Sequence, residues 1–334
     1  MYTKIKKPKI VVIGGGTGTA VVLSGLKQKD LDLSAIISVA DSGGSTGRLR
    51  DQFGFLPVGD LRQSLAALAR EKDQAWIRKL LLYRFDQGDG LKGHNLGNLI
   101  LTALQDICAN TTKALEVAGR IFKLEGSIFP VTTKNVQLVI EYEDGTFLIG
   151  EDNLNPGKLG NKKIKRVRLS PAAQINTKAV KVIKEADLVV IGPGDLYASI
   201  LPNFAVSGAK KVLSETKAKI VYIVNLMTRY TQTHNYTASM HVEEIKKYIG
   251  KYPDFVIINN KQIPKDILKN YTQEKGYPVI NDLPIDAPYK IIAQKLFTIA
   301  QTKHNKADVI KRSLLIHDKE ILTKVLLNIY NKEK

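Results

Sequence analysis

The chain has 334 residues, of which 44% are hydrophobic and 25% are charged, and its formal net charge is +18 at pH 7. These proportions are typical of a globular protein that buries a large core, in one α/β unit or in two closely packed lobes. A membrane-spanning helix is excluded, because no apolar run approaches the roughly 20 residues that such a helix needs.

The N-terminal residues and the cysteine content favour a cytoplasmic protein. Residues 1–7 are basic, but the apolar stretch that follows is too short for a signal peptide and lacks a cleavage site. The single cysteine, Cys108, excludes an internal disulfide. Its apolar helical context predicts that it is buried and inert, as expected in a reducing compartment.

The positive charge raises the hypothesis that the protein binds nucleic acid. Arg accounts for only 11 of the 50 basic residues, and the lysines are spread along the chain without interleaved aromatic residues. Specific recognition of phosphates and bases depends largely on the Arg guanidinium. A lysine-rich surface is therefore the preferred interpretation. RNA binding, which would weaken steeply with salt, remains a third hypothesis.

The first predicted strand, residues 9–13, runs directly into a glycine-rich turn and then into an apolar helix. The strand is rich in β-branched residues, which is typical of a parallel strand covered on both faces. The turn consists of Gly14, Gly15, Gly16, Thr17 and Gly18. Free N–H groups and the helix dipole at such a helix N-terminus favour an anion, so the pattern predicts a phosphate site; the alternative is a tight turn without a ligand.

Two standard nucleotide motifs are disfavoured at this turn. No Lys-Ser/Thr pair follows the last glycine, so a Walker loop is absent. No acidic residue occupies the ribose position after the second strand unless Asp41 does. A standard dinucleotide oxidoreductase is therefore not the preferred interpretation.

A second strand is predicted at residues 34–39, and a second glycine loop at residues 40–51 follows it. This loop supplies a carboxylate, hydroxyls and glycines: Asp41, Ser42, Gly43, Gly44, Ser45 and Thr46. Asp41 is a candidate to hold a ribose or a divalent ion, and Arg48 and Arg50 are candidates to clamp a phosphate, with ion pairing as the alternative for both. Because ligands of open parallel sheets bind beyond the strands' carboxyl ends, the two loops predict one shared site.

The helical segments that follow carry further polar candidates. Asp60 begins a predicted helix in a position typical of an N-cap. The alternative is that Asp60 and Arg62 face the crevice, with Asp60 and Asp41 around a metal ion. In the helix predicted from residue 94 to 109, His94 and Asn98 are one turn apart on one face. Ligand contact and ordinary packing both remain open for this pair.

Residues 127–170 have a different pattern. The stretches 136–142 and 146–150 flank an Asp-Gly pair, which predicts a β-hairpin. Residues 164–169 alternate between charged and apolar side chains, as a half-exposed strand does. The region is therefore predicted to be a small antiparallel extension, with the lysine-rich residues 155–163 as an exposed loop.

A third glycine loop follows a helix at residues 178–186 and an apolar strand at 187–191. Its candidate residues are Gly192, Pro193, Gly194, Asp195, Tyr197 and Ser199. A further strand at 220–224 precedes another polar stretch, whose candidates are Asn225, Met227 and Thr228.

After one more strand, at residues 255–258, helices are predicted from about residue 286, the first to residue 302 and the last over residues 319–330. The alternation of strands and helices predicts an α/β fold with a Rossmann-like, mostly parallel sheet and helices on both faces. We expect one domain over residues 1–334, with the small antiparallel β extension at about 127–170.

Five sequence blocks resemble the YvcK/CofD-like family, in the family's order. They are residues 14–18 (GGGTG), 41–50 (DSGGSTGRLR), 59–62 (GDLR), 93–98 (GHNLGN) and 192–203 (GPGDLYASILPN). The similarity is closest to the bacterial YvcK branch, the gluconeogenesis factors. It implies a cytoplasmic protein that binds nucleotide-sugars such as UDP-N-acetylglucosamine and is needed for cell shape and envelope synthesis on gluconeogenic carbon sources.

The resemblance also implies a location for the ligand. The nucleotide-sugar would occupy a crevice bounded by residues 14–18, 41–45 and 192–199, lined by His94 and Asn98. Asn225, Met227 and Thr228 would close one side. No catalytic residue and no metal ligand are assigned. Mg²⁺, a dinucleotide ligand, envelope-synthesis proteins as partners and a homo-oligomer all remain open.

Four positions depart from the family's pattern. Ser42 replaces a second Asp or Asn, which weakens a metal role, and Asp195 replaces a Ser that is common after Gly-Pro-Gly. Residues 229–236 (RYTQTHNY) replace a Gln-rich stretch, and Ile316 stands where an Arg often precedes His-Asp. Affinity or ligand choice would differ if that Arg holds a diphosphate.

Two main hypotheses follow. The first is a nucleotide-sugar-binding regulatory protein without turnover, because the chain shows glycine loops and hydroxyls but no evident nucleophile with a base. The second is a transferase similar to the CofD branch, whose members transfer a phospholactyl-type group onto a deazaflavin with a guanylylated donor and Mg²⁺.

Overall fold

The computed structural model describes residues 7–70, 75–154, 162–299 and 314–333. The strands are β1 (Lys9–Gly14), β2 (Asp32–Ile37), β3 (Ser127–Pro130), β4 (Gln137–Tyr142), β5 (Phe147–Ile149), β6 (Ile164–Ser170), β7 (Leu188–Ile191), β8 (Lys219–Ile223), β9 (Phe255–Asn259), β10 (Lys290–Gln294), β11 (Phe297–Ile299) and β12 (Leu315–His317). The helices are α1 (Gly16–Leu26), α2 (Gly44–Phe53), α3 (Gly59–Leu68), α4 (Ala75–Leu82), α5 (Leu96–Cys108), α6 (Thr111–Ile121), α7 (Thr177–Glu185), α8 (Ala209–Glu215), α9 (Ala238–Ile249), α10 (Lys265–Gln273) and α11 (Lys319–Lys332).

Seven parallel strands form the main sheet, in the order β10-β9-β8-β7-β1-β2-β3. The chain moves outward from β1 to β3 and then returns to β7, on the other side of β1. Because crossovers between parallel strands are right-handed, the crossover helices of the two halves lie on opposite faces. The C-terminal helix α11 is different, because it packs against α1 at Gly25. The order reverses between β1 and β7, which is where open α/β sheets bind their ligands.

The core lies on both faces of this sheet. Ile10, Val12 and Val190, in its central strands, are fully buried. Continuous β-branched runs suit these strands because neither face meets water. The α/β class and the parallel central sheet predicted from the sequence are confirmed.

A three-stranded antiparallel sheet, β5-β4-β6, forms the predicted extension. The hairpin of β4 and β5 and the strand β6 agree with the sequence pattern. Ser127–Pro130, at the start of the predicted extension, instead pairs in parallel with β2 as the edge strand β3. The single-domain division remains a prediction, and residues 155–161 of the predicted loop lie outside the described residues.

The helix predicted from residue 286 to 302 is wrong over the described part of that range. Lys290–Gln294 pairs in parallel with β9, and Phe297–Ile299 pairs with β12 in a two-stranded antiparallel sheet. A short edge strand is only half buried, so its apolar spacing resembles that of an amphipathic helix. Residues 290–294 form a strand because they can pair with the edge of β9 that β8 leaves open. Residues 300–302 lie outside the described residues.

The predicted loop at residues 40–51 is largely a helix. Only the residues before Gly44 are irregular, and α2 begins at Gly44, whose φ is +47°. Polar residues and two glycines hid the helix in the sequence. Cys108 is partly buried rather than fully buried, at the last turn of α5. No helix within the described ranges has both the length and the apolar character needed to span a bilayer.

Candidate functional site

The turns after β1 and β7 are in direct contact. A methyl group on Gly18 would overlap the Pro193 carbonyl and lie 3.2 Å from the Gly194 nitrogen. The Thr19 hydroxyl donates to the Pro193 oxygen at 3.4 Å. The first and third glycine loops therefore meet at the reversal of strand order, and a side chain at residue 18 would separate them.

Asn203 connects the turn after β1 with the segment that follows β7. Its amide nitrogen donates to the carbonyl oxygens of Gly14 at 3.2 Å, Ser199 at 2.9 Å and Ile200 at 3.1 Å. The side chain is 1% exposed. Residue 203 belongs to the fifth sequence block but was not a predicted site residue, because only the fold brings it to the end of β1.

Asp60 lies against the first glycine turn. A methyl group on Gly15 would overlap the Asp60 carboxylate, and the Gly16 N–H donates to it. Asp60 is therefore not an N-cap: α3 begins at Gly59, and the preceding Val58 makes no side-chain cap. The carboxylate occupies part of the N-terminal end of α1, where an anion is favoured.

Asp41 lies next to this carboxylate, from the end of β2. It accepts hydrogen bonds from the Gly43 N–H, at 2.8 Å, and from the Thr46 hydroxyl. A methyl group on Gly59 would overlap it. The second glycine loop thus reaches the same place as the first, as the sequence predicted.

Both carboxylates have raised pKa values. Desolvation and the charges of Asp41 and Asp195 raise the pKa of Asp60 to about 7, against the opposing effects of the Gly16 N–H and Arg62. Desolvation also raises the pKa of Asp41, and the Gly43 N–H, the Thr46 hydroxyl and Arg62 oppose the rise. At neutral pH Asp60 is therefore partly protonated and can act as acid or base.

A buried relay connects Arg62 to Asp41. The Arg62 Nε donates to the Asn98 Oδ1 at 2.8 Å, and the Asn98 Nδ2 donates to the Thr46 Oγ1 at 3.3 Å. The Thr46 hydroxyl in turn donates to Asp41. Asn98 also donates to the Ser45 Oγ at 3.2 Å. The predicted Arg62, Asn98 and Ser45 therefore come together, and Asn98 orients the other groups.

His94 extends this network at the start of α5. Its Nδ1 lies 3.2 Å from the Ser45 Oγ, and the residue is 7% exposed. Burial, Arg48 and Arg84 lower its pKa, so the ring is neutral at pH 7. The helix itself is capped by Asn95, which accepts from the Asn98 N–H at 3.2 Å.

The polar stretch after β8 contacts the third glycine loop through Asn225. The Asn225 Nδ2 donates to the Gly194 carbonyl at 2.8 Å. The Thr228 N–H donates to the Tyr277 carbonyl at 2.7 Å, and Met227 forms a β-bridge with Pro278. Both side chains are buried. Ser199 is 8% exposed and faces Gly16, with its Oγ 3.7 Å from where a methyl group there would lie.

Three predicted side chains have other hydrogen-bond partners. Tyr197 is fully buried, and its hydroxyl is 2.7 Å from that of Tyr236. Arg48 is exposed on α2 and donates to the Lys92 carbonyl at 3.4 Å. Arg50 is buried and pairs with Asp51. The charge of Arg48 lowers the pKa of His94 and that of Arg50 lowers the pKa of Asp41, and their clamping of a phosphate remains a prediction.

The extension reaches the crevice as well. The Glu151 N–H donates to the Ser42 Oγ at 2.7 Å, and the Thr231 hydroxyl donates to the Leu154 carbonyl at 3.3 Å. This segment connects the loop after β2 with the loop after β8.

A separate contact joins α3 to the first glycine turn, because Gln63 accepts a hydrogen bond from the Thr17 hydroxyl at 3.2 Å. No sequence motif marked these contacts.

Among the described residues, no three His, Cys, Asp or Glu side chains cluster as metal ligands. Asp41 and Asp60 together offer two carboxylates. That number suits Mg²⁺, which keeps several waters and takes its remaining ligands from substrate phosphates. The residues present therefore fit Mg²⁺ only together with a phosphate-bearing ligand.

A parallel α/β sheet whose glycine turns and buried carboxylates meet at its switch point has the Rossmann-like architecture in which ligands bind at that point. The family model of 2-phospho-L-lactate transferase CofD matches residues 10–300. The chain therefore belongs to the CofD family.

Bacterial proteins named gluconeogenesis factors are among its relatives. The gluconeogenesis factor of Bacillus subtilis is 40% identical over 281 residues, which cover 83% of this chain and 87% of the relative. A putative gluconeogenesis factor of Aquifex aeolicus is 38% identical over 98% of both chains. One from Nostoc sp. is 40% identical, but the match covers only 60% of its length.

Solved structures agree with the fold. A crystal structure of a Bacillus halodurans protein superposes with a TM-score of 0.88 at 34% identity, covering 96% of this chain and 100% of that one. A second crystal structure from the same organism, described as a member of the UPF0052 family, gives a TM-score of 0.86 at 33% identity.

Gly18→Ala tests the contact between the first and third loops. The added methyl group must displace the Pro193 carbonyl, so we expect the free energy of unfolding to fall by about 1–3 kcal/mol. Gly119→Ala is the matched control, because Gly119 is also helical and its nearest neighbour, Leu124 Cδ1, would be 3.7 Å away. Urea denaturation should show no loss for the control. Equal effects would contradict the contact.

Asp60→Asn tests the raised pKa. The folded protein keeps a proton up to about pH 7 that the unfolded chain releases near its ordinary pKa of 3.8. Stability therefore falls between pH 5 and pH 7, by roughly 2 kcal/mol, and the neutral Asn removes this fall. Urea denaturation at pH 5 and pH 8 measures it. The exposed Asp86→Asn serves as the control, and an unchanged pH dependence in Asp60→Asn would refute the assignment.

Proposed function

We propose that the protein is a nucleotide-sugar-binding regulator whose ligand is of the UDP-N-acetylglucosamine type. It would act in the cytoplasm as a gluconeogenesis factor, which supports cell shape and envelope synthesis on gluconeogenic carbon sources. Its partners would include envelope-synthesis proteins. Binding rather than turnover would carry the signal.

One observation supports this proposal: the glycine loops after β7, β1 and β2, three adjacent parallel strands, meet at the switch point. Backbone N–H groups and buried hydroxyls there can orient a diphosphate and a ribose. His94, Ser45, Asn98 and Ser199 are already fixed by hydrogen bonds or packing. The relatives named gluconeogenesis factors support the role as a gluconeogenesis factor.

The protein should therefore bind UDP-N-acetylglucosamine more tightly than NAD or guanine nucleotides. At a ligand concentration 100 times Kd, the free energy of unfolding should rise by about 2.7 kcal/mol. Calorimetry and thermal denaturation with and without Mg²⁺ measure both quantities. Far tighter binding of NAD or a guanine nucleotide would refute the proposal.

The second candidate function is a transferase similar to the family's 2-phospho-L-lactate transferase, and the pKa of about 7 at Asp60 favours it. Ionised Asp60 would take the proton of an acceptor hydroxyl, whose oxygen bonds to the donor's phosphorus while a nucleoside monophosphate leaves. Mg²⁺, held by the donor's phosphates and the carboxylate pair, would stabilise the charge that develops on those phosphates.

Under this alternative, a uridylyl or guanylyl donor is consumed in the presence of an acceptor and Mg²⁺. Asp41→Asn and Asp60→Asn should each lower the rate by at least about 100-fold, the scale of general acid–base catalysis. Release of the nucleoside monophosphate is the measurement, and Asp86→Asn is the control. Slow turnover that both variants keep would exclude these carboxylates from the reaction.

A further inference from the structure

An ion pair joins the loop after β7 to the loop after β8. The Arg229 Nε donates to the Asp195 Oδ1 at 3.2 Å, and the side chains are 47% and 31% exposed respectively. Both residues depart from the family's pattern noted in the sequence. The structure shows that the two departures contact each other.

Asp195 belongs to the acidic centre of the crevice. It follows Gly194, whose carbonyl is held by Asn225, and its charge raises the pKa of Asp60. Asp195, Asp60 and Asp41 are therefore three carboxylates that an incoming diphosphate would meet. Bringing the negative charges of a diphosphate close to these carboxylates costs binding free energy unless cations compensate for the repulsion.

The cations near the carboxylate pair differ in their availability. Arg62 is buried and donates to Asn98 and to the Leu81 carbonyl at 3.3 Å. Arg50 is buried, its Nε and Nη2 donate to Asp51 at 2.9 and 2.8 Å, and its Nη1 has no hydrogen-bond partner among the described residues. The Arg229 side chain is half exposed beside Asp195. Surface ion pairs of this kind contribute only about 0–1 kcal/mol to stability.

The backbone that carries Arg229 is fixed, so only the side chain needs to move. The Arg229 N–H donates to the Thr233 Oγ1 at 2.9 Å, and the Arg229 carbonyl accepts from the Thr233 N–H at 2.8 Å. On its other side, Thr228 is bonded twice to Tyr277. Glu274 and Tyr271 also act on the guanidinium and favour its charged form.

We infer that Arg229 recognises the diphosphate of the ligand, and that Asp195 holds the guanidinium at the rim until the ligand displaces it. The inference rests on the proposed function and deepens it. Arg229 gives the diphosphate a bidentate partner. Asp195 competes with the ligand for Arg229, so only a ligand with enough negative charge can replace Asp195 as the partner of the guanidinium. The pair therefore selects diphosphates over nucleosides.

Calorimetry with UDP-N-acetylglucosamine, UDP, uridine and inorganic pyrophosphate tests the inference. Arg229→Gln should weaken binding of the three diphosphates by about tenfold or more and leave uridine unchanged. Arg229→Lys, which keeps the charge but not the fork, should lose less. Asp195→Asn should tighten diphosphate binding several-fold, because it removes both the competitor and a like charge.

The double variant separates recognition from simple neutralisation. If Arg229 contacts the diphosphate, Arg229→Gln costs affinity in the Asp195→Asn background as well; if it only neutralises Asp195, the cost disappears there. Arg70→Gln is the matched control. Arg70 pairs with Glu125 at 3.3 Å through its Nε, at 57% and 30% exposure, on the C-terminal side of α3.

The outcomes also separate the inference from the proposed function. Pyrophosphate binding that depends on Arg229, without binding of UDP-N-acetylglucosamine, refutes the nucleotide-sugar but keeps the role of Arg229. Binding of UDP-N-acetylglucosamine that Arg229→Gln leaves intact refutes the role of Arg229 alone. Equal losses for uridine and UDP, or weaker diphosphate binding in Asp195→Asn, would also overturn it.

Discussion

Two carboxylates held against glycine backbone constrain the whole carboxyl edge of the sheet. Asp60 lies where a side chain on Gly15 would be, and Asp41 lies where a side chain on Gly59 would be. Burying like charges so close together costs free energy unless hydrogen bonds and cations compensate. The N–H groups of the glycine turns and the Arg62 relay provide that compensation, so the glycines are required for space as much as for turns.

The same constraint makes the crevice electrostatically mixed. Helix N-terminal ends and Arg62 favour negative charge there, yet Asp41, Asp60 and Asp195 supply it from the protein itself. The chain's net charge of +18 is therefore no guide to this site. A phosphate-bearing ligand has to be matched by local cations, by Mg²⁺ or by protonation of Asp60.

Local sequence patterns predicted much of the fold, because local physics determines those parts. Apolar β-branched runs followed by glycine can be little else than buried strands entering turns, and the Asp-Gly hairpin was equally direct. Helix α2 and strand β10 were missed. Helix α2 consists mostly of polar residues, so it shows no apolar helical spacing. Strand β10 depends on the edge of β9, which lies 31 residues or more earlier in the chain. Sequence spacing alone contains neither signal.

The sequence by itself determined that three glycine loops follow three parallel strands, since glycine and β-branched residues restrict the backbone directly. The tertiary structure alone decided which side chains meet there. It turned Asp60 from an apparent helix cap into a buried acid, moved Arg48 out to the surface and brought Arg229 to Asp195. These contacts depend on strand order and helix packing, which connect residues far apart in the chain and leave no local pattern.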